Sequence, residues 1–360
     1  MSKAVSRRKR GFLDVPCFLS GKNMSEAIRV AVVGATNLVG QSVLELLAER
    51  ELPIERVYAL DVAEKEGESA YYGNLELDVL AVDEFDFANA ALAIFVAGSE
   101  MSRQYVQAAR AAGCAVIDFS AVYRQADDVP LYAPLINDKL LDDLGEAPLV
   151  SIPNCTATPL AQALAAIKAA GLQRVTVTSF QSVSGSGQAA LEELASQTTA
   201  LFSQRDAEME VYPKRIAFNV LPLIGGVDEQ GVSEEEQSVE QEVRKLLALP
   251  ALTIEASCVR VPVFFGHGWA VSVESDDALT ADKARELFKA AGLQVVDDPA
   301  GEMPYVTPLE ASGNEAVWVS RVRRQGKSLQ FWLAADNIRA AIAHSCVVTA
   351  AALMKRGYFA

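Results

Sequence analysis

The chain has 360 residues, about half of them hydrophobic, and a formal net charge of −15 at pH 7. That length accommodates two domains with separate cores. The acidic balance excludes nucleic acid as a partner, and no uncharged apolar run approaches the roughly 20 residues that span a bilayer, so no membrane partner is expected.

Five cysteines, at positions 17, 114, 155, 258 and 346, are scattered with no CxxC pair or zinc spacing. They predict reduced thiols in a cytoplasm, with neither a disulfide framework nor a metal site. Residues 1–23 carry six basic side chains against Asp14 alone, which makes this piece +5 and the remainder −20. Asp14 and Pro16 interrupt the apolar stretch that follows the basic run, so it makes a poor secretory core, and Met24-Ser25-Glu26 resembles a natural start. Residues 1–27 are expected to form a disordered basic tail, of which 1–23 would come from an upstream start if Met24 is the natural one, with a targeting or acid-binding arm as the alternative.

Ile28 to Val33 predicts a buried strand, followed by the loop Gly34-Ala35-Thr36-Asn37-Leu38-Val39-Gly40 and a helix from Gln41 to Arg50. A glycine-rich turn at that junction is where a dinucleotide pyrophosphate meets a helix start. Asn37 takes the middle position, on the ground that asparagine tolerates left-handed backbone. A second strand, Val57 to Leu60, ends at Asp61, 21 residues beyond Gly40, where a carboxylate accepts from the adenosine ribose and disfavours a 2′-phosphate. Ala91–Val96, a helix over about 102–112 and Ala115–Asp118 continue the alternation. Apolar strands alternating with helices predict a doubly wound parallel sheet.

Leu149–Ile152 is the next extended run, broken by Pro153 and Asn154. Past Cys155, the residues Leu160, Leu164 and Ile167 predict an amphipathic helix ending at Gly171. Cys155 therefore lies at a strand-to-helix junction, where the positive end of a helix dipole favours the thiolate. Longer alternating strands follow, at Arg174–Ser182, Ala256–Val263 and Trp269–Glu274, then an antiparallel pair, Val317–Arg323 and Leu329–Ala335, joined through Gln325-Gly326. They predict a second, α+β domain. A helix from Asn337 to about Arg356 packs back on the first. The expected division is 28–154 plus 337–360 for the dinucleotide-binding domain and 155–336 for the catalytic and dimerisation domain.

The chain has two histidines. His267, between Gly266 and Gly268, is read as a loop imidazole able to act as acid or base, and His344 as a packing or surface residue of the last helix. Gln181 ends a strand before a Ser/Gly loop, and Arg124 and Arg260 sit beside strand ends, where guanidinium groups hold carboxylate or phosphate.

In order, GATNLVG, IDFSAVYR, IPNCTATP, SFQSVSGSG, FNVLPLIG, CVRVPVFFGHG and the terminal DNIR resemble the aspartate-semialdehyde dehydrogenase family over about residues 28–356. The resemblance implies a Rossmann-type domain joined to an α+β domain, a homodimer, and an NADP-dependent enzyme of lysine, threonine and methionine biosynthesis, with NAD admitted by Asp61. It assigns Cys155 as acyl-thioester nucleophile, His267 as acid/base and Gln181 as substrate-positioning residue. Arg260 would bind the substrate carboxylate and Arg124 phosphate, with Asn154 and Glu235 also in the substrate site. The loop Gly34, Thr36, Asn37, Leu38, Val39 and Gly40, with Ser184, Gly185 and Asn337, would contact the cofactor. In the implied reaction the cysteine displaces phosphate from aspartyl phosphate, and hydride reduces the thioester to the semialdehyde.

Four positions depart from that pattern. Ser238 replaces a phosphate-site lysine, Asp61-Val62 an Arg-Ser pair, Asn37 a glycine, and Phe119 an asparagine. They fit a divergent paralogue of the Usg type, enzymatic or not, and an N-acetylglutamyl-phosphate-type reductase is the further alternative.

Overall fold

A computed structural model describes residues 27–298, 300–301 and 304–359. The expected basic tail, apart from Ala27, lies outside them. The first sheet contains β1 (Ile28–Val33), β2 (Ile54–Asp61), β3 (Ser69–Tyr72), β4 (Leu75–Ala81), β5 (Leu92–Phe95), β6 (Ala115–Asp118) and β7 (Leu149–Ser151), in the order β3-β4-β2-β1-β5-β6-β7. Only the β3–β4 pair is antiparallel. The pair β3–β4 escapes sequence reading because β3 has only four residues and Glu76 and Asp78 interrupt the apolar run of β4.

Helix α1 (Leu38–Glu49) packs on one face of this sheet and α2 (Ser99–Ala111) on the other. Because both faces are covered, β1 and β5 are apolar almost throughout and lack alternation. Helix α1 starts earlier than expected because Asn37 caps it, accepting from the amides of Val39 and Gly40. Asn37 has φ −80°, an extended conformation. Its value is therefore as a capping side chain, and the left-handed tolerance invoked for it is not used.

The second sheet contains β8 (Leu172–Gln181), β9 (Thr253–Arg260), β10 (His267–Ser275), β11 (Gln294–Val295), β12 (Trp318–Gln325) and β13 (Ser328–Ala335), in the order β11-β12-β13-β10-β8-β9. The chain also forms α3 (Ala157–Ile167), α4 (Gln188–Phe202), α5 (Glu234–Leu247), α6 (Ala281–Ala290), α7 (Pro308–Ala311) and α8 (His344–Lys355). Helices α3, α5 and α6 cover one face of the second sheet around Val175, Trp269, Phe288 and Phe331. Its other face presents Thr176, Thr178, Ser272, Gln330 and Trp332 to an open depression. Alternation along β8, with Val175 and Val177 buried and Thr176 and Arg174 outward, is the signature of a sheet covered on one face. The last helix begins with a π-helical turn, Arg339–Ala343, and α8 returns to the core of the first sheet.

The two sheets are joined so that strand ends meet. Strand β8 runs parallel to β9 with Gln181 opposite Arg260, and β10 runs antiparallel to β8 with Gly268 opposite Phe180. Strand β13 is antiparallel to β10, with Ala335 opposite His267. The ends of β8, β9 and β13 and the start of β10 therefore share one edge.

Phe288 is fully buried between α6 and the sheet, its ring 5.1 Å from that of Phe331. Phe288→Ala should lower the unfolding free energy by about 3–5 kcal/mol in urea denaturation. A loss below about 1 kcal/mol would show that this helix does not help to close the core.

Candidate active site

The edge just described carries Gln181, Arg260, His267 and, directly after β13, Asn337, all buried. Cys155 arrives from the first sheet, between β7 and α3, with Sγ 3.9 Å from Nε2 of His267. His267 is not on a loop. It is the first residue of β10, fully buried, and Gly266 at φ +82° makes the turn that admits it. Two flanking glycines suggest a loop, but Gly268 is in the strand and packs under Trp332.

The backbone N–H of Ser182 donates to Nδ1 of His267 at 3.1 Å. An amide can only donate, so Nδ1 is the accepting nitrogen and the neutral ring carries its proton on Nε2, toward Cys155. Burial and the Arg260 charge hold the imidazole down at about 3, so it is neutral. Cys155 keeps partial solvent exposure, but protein surrounds it, and burial and Glu235 push its thiol up to about 12 against Thr156, Arg124 and Arg260. The expected thiolate is therefore not the resting form; burial outweighs the helix start.

Helix α5 positions the cysteine. Glu235, Ser238 and Glu242 lie at i, i+3 and i+7, on one helical face. Glu235 accepts from Asn154 Nδ2 at 2.9 Å, Thr156 Oγ1 at 2.8 Å and Gln181 Nε2 at 3.0 Å. Glu242 accepts from the Asn154 amide at 2.6 Å and from Ser238. The residues on either side of Cys155 are thus tied to two carboxylates. Glu242 was missed in the sequence, although its spacing from Glu235 was a usable signal.

Arg124 is less free than expected. Its guanidinium donates to Ile152 O, Glu242 Oε1 and Phe119 O, and lies 4.9 Å from the Phe119 ring centroid. Three of its five N–H groups are thereby engaged. Arg260 is more available. Its Nη1 donates to Ser182 O, while Nε is buried without a partner among the described residues.

Asp61 also differs from expectation. Its carboxylate turns inward, accepting from Thr36 N and Oγ1 and from Val62 N, with Lys65 Nζ 3.9 Å away. It lies 5% exposed, its carboxylate held by Thr36 where a ribose hydroxyl was expected. Within 34–40, Asn37 takes the amides of Val39 and Gly40, and that of Leu38 alone has no partner among the described residues. A Cβ on Gly40 would stand 2.1 Å from Gly34 O, so this loop closes only with glycine there.

A dinucleotide fits these residues. Oδ1 of Asn337 accepts from Ser182 Oγ, Ser184 Oγ and Gly266 N, and its Nδ2 is buried without a partner among the described residues. A fixed, unpartnered amide N–H suits a carboxamide oxygen. No group of His, Cys, Asp and Glu among the described residues could hold a metal ion.

Residues 29–144 match a family model described as semialdehyde dehydrogenase, NAD binding domain, and residues 163–340 one described as semialdehyde dehydrogenase, dimerisation domain. The aspartate-semialdehyde dehydrogenase of Legionella pneumophila is 38% identical, over 92% of this chain and 97% of its own. That of Rickettsia bellii is 34% identical, over 92% and 99%. The crystal structure of aspartate semialdehyde dehydrogenase II complexed with ASA, from Vibrio cholerae, aligns with TM-score 0.88 at 33% identity, over 93% and 100%.

Among the described cysteines only Cys155 is not buried. Iodoacetamide should therefore label it before Cys114, Cys258 and Cys346. In the ligand-free protein the rate should climb about tenfold per pH unit, with no plateau below about pH 11, because only the thiolate attacks. Mass spectrometry of timed digests reads this, and a plateau near pH 8 would contradict the neutral resting pair.

Proposed function

Because the chain belongs to the aspartate-semialdehyde dehydrogenase family, we propose that it catalyses the reversible, NADP-dependent reduction of L-aspartyl 4-phosphate to L-aspartate 4-semialdehyde and phosphate. The reaction serves lysine, threonine and methionine biosynthesis. The observation that carries this reading is the Cys155–His267 approach of 3.9 Å beside Gln181 and Arg260.

With a thiol at about 12, forming free thiolate at neutral pH would cost roughly 7 kcal/mol. The thiol proton instead leaves as the carbon–sulfur bond forms. Sγ attacks the acyl carbon, the acyl–oxygen bond breaks, and the departing phosphate carries the proton away as hydrogen phosphate. Nε2–H of His267 donates to the carbonyl oxygen as it turns negative, in this step and as the thioester is reduced, and to the sulfur as it leaves the thiohemiacetal. Its acid/base role thus narrows to donation through Nε2. Arg260 holds the substrate carboxylate, and Gln181, oriented by Glu235, positions the acyl group.

When bound, the nicotinamide supplies the hydride. Asn337 Nδ2 and the Ser184-Gly185 turn would hold its carboxamide end, and the Gly34–Gly40 loop with the Leu38 amide its pyrophosphate. Asp61 is turned inward, its carboxylate engaged by Thr36 beside Lys65, so it opposes a 2′-phosphate less than a free carboxylate would, which supports NADP over NAD. The open face of the second sheet and, separately, the exposed side chains of Phe202, Phe218 and Val220 support a homodimer. Free thiols suit a reducing cytoplasm.

A second reading is favoured by Ser238 and the Arg124–Glu242 pair, which leave the phosphate subsite short of free positive charge. It retains the thioester chemistry with a weakened preference for phosphate.

Cys155→Ala should abolish phosphate-dependent NADP reduction by aspartate semialdehyde while circular dichroism stays unchanged; retention of most activity would sink the thioester route. Ser238→Lys should lower the KM for phosphate by about tenfold, the equivalent of one charge-assisted contact. An unchanged phosphate KM would show that Ser238 does not border that subsite.

A further inference from the structure

Arg260 Nε has a counterpart in the segment whose Leu221 pairs with Arg260. The hydroxyl of Tyr212 is also buried without a hydrogen-bond partner among the described residues. We propose that Tyr212 is a substrate-binding residue, its O–H donating with Arg260 Nε–H to the carboxylate of the substrate. This inference rests on the assignment of Arg260 to that carboxylate.

The segment that carries Tyr212 is locked to the edge where Arg260 lies. Leu221 exchanges both backbone hydrogen bonds with Arg260, at 2.9 and 2.8 Å. Tyr212 packs against the cluster of Val183, Leu191, Leu194, Ile216 and Leu221, beneath the Ser182–Gly185 turn. Two buried side chains of α4 pin the segment at both ends. Glu193 Oε2 accepts from the amides of Glu210 and Val211, and Gln197 Oε1 from those of Ile216 and Ala217. Tyr212 is therefore held in place by carboxylate and amide groups that leave its hydroxyl unused. Arg260 Nη1 lies against Gly185, the residue before Ser186; Ser186 and the Arg260 charge favour the ionised phenol, but burial outweighs them and keeps it a protonated donor.

A buried hydroxyl left unpaired is unfavourable, and the same group pairs well with an anion that brings its own acceptors. A carboxylate offers two oxygens and about four acceptor sites. One guanidinium edge occupies only part of them, and a phenol beside it takes another.

Tyr212→Phe removes the hydroxyl and keeps the ring. In phosphate-dependent oxidation of aspartate semialdehyde, KM for the aldehyde should rise about tenfold, as for one lost charge-assisted hydrogen bond, with a much smaller effect on kcat. The melting temperature should stay level or rise, since an unpaired polar group leaves the interior. With 3-aminopropanal, which lacks the carboxylate, variant and wild type should agree within about twofold. Arg260→Gln is the reference. If it leaves the KM for aspartate semialdehyde unchanged, the carboxylate assignment itself fails. If it raises KM while Tyr212→Phe does not, the assignment stands and Tyr212 is overturned. An equal loss by Tyr212→Phe on both aldehydes would also overturn it, by showing a structural effect.

Discussion

The register of the second sheet is the constraint on which the rest of the molecule depends. A parallel step from β8 to β9, followed by antiparallel steps from β8 to β10 and from β10 to β13, brings three strand ends and one strand start to a single edge. Side chains alternate along a strand, so a slip of one residue would turn Gln181, Arg260 and His267 to the wrong face together. Val175, Val177, Trp269, Val271 and Leu333 guard against such a slip, because the same shift would carry them out of the core. Packing and site geometry are therefore one specification.

The first sheet delivers the thiol, and α5 governs how it is placed. Two carboxylates on one face of this helix grip Asn154 through its side chain and its backbone amide. Glu242 is fully buried, and burial pushes its carboxyl up against the pull of Arg124. A buried carboxylate persists where its hydrogen bonds are well made, and each partner here is a fixed donor near the nucleophile. The consequence for Arg124 is that its charge is largely answered from within.

Legibility in the sequence followed local pattern. β1 and the β12–β13 hairpin carry periodic or turn signals and lie close to their expected bounds, while α3 ends at Ile167 and a further short turn carries the chain to Gly171. Cys155, Gln181, Arg260 and His267 were found as residues, and their meeting follows from a pairing between strands some 80 residues apart in the chain. That pairing leaves no local trace. Side-chain direction was the second blind spot. Nothing in a sequence says that Asp61 turns toward Thr36, that Asn37 caps rather than bends, or that Ser182 offers its amide to an imidazole. The thiolate expectation failed for a related reason: a helix start can be read from pattern, whereas the depth of protein around a sulfur cannot.

The neutral resting pair bears on durability as well as on chemistry. Peroxide, like alkylating agents, reacts with thiolate, and sulfenic acid is the first step toward irreversible loss of a cysteine. A thiol held near 12 presents roughly one thiolate in 100,000 molecules at neutral pH. Only an acyl carbon seated against Sγ, with its own leaving group to take the proton, draws out the nucleophile. Between turnovers, the residue most open to solvent among the described cysteines is chemically quiet.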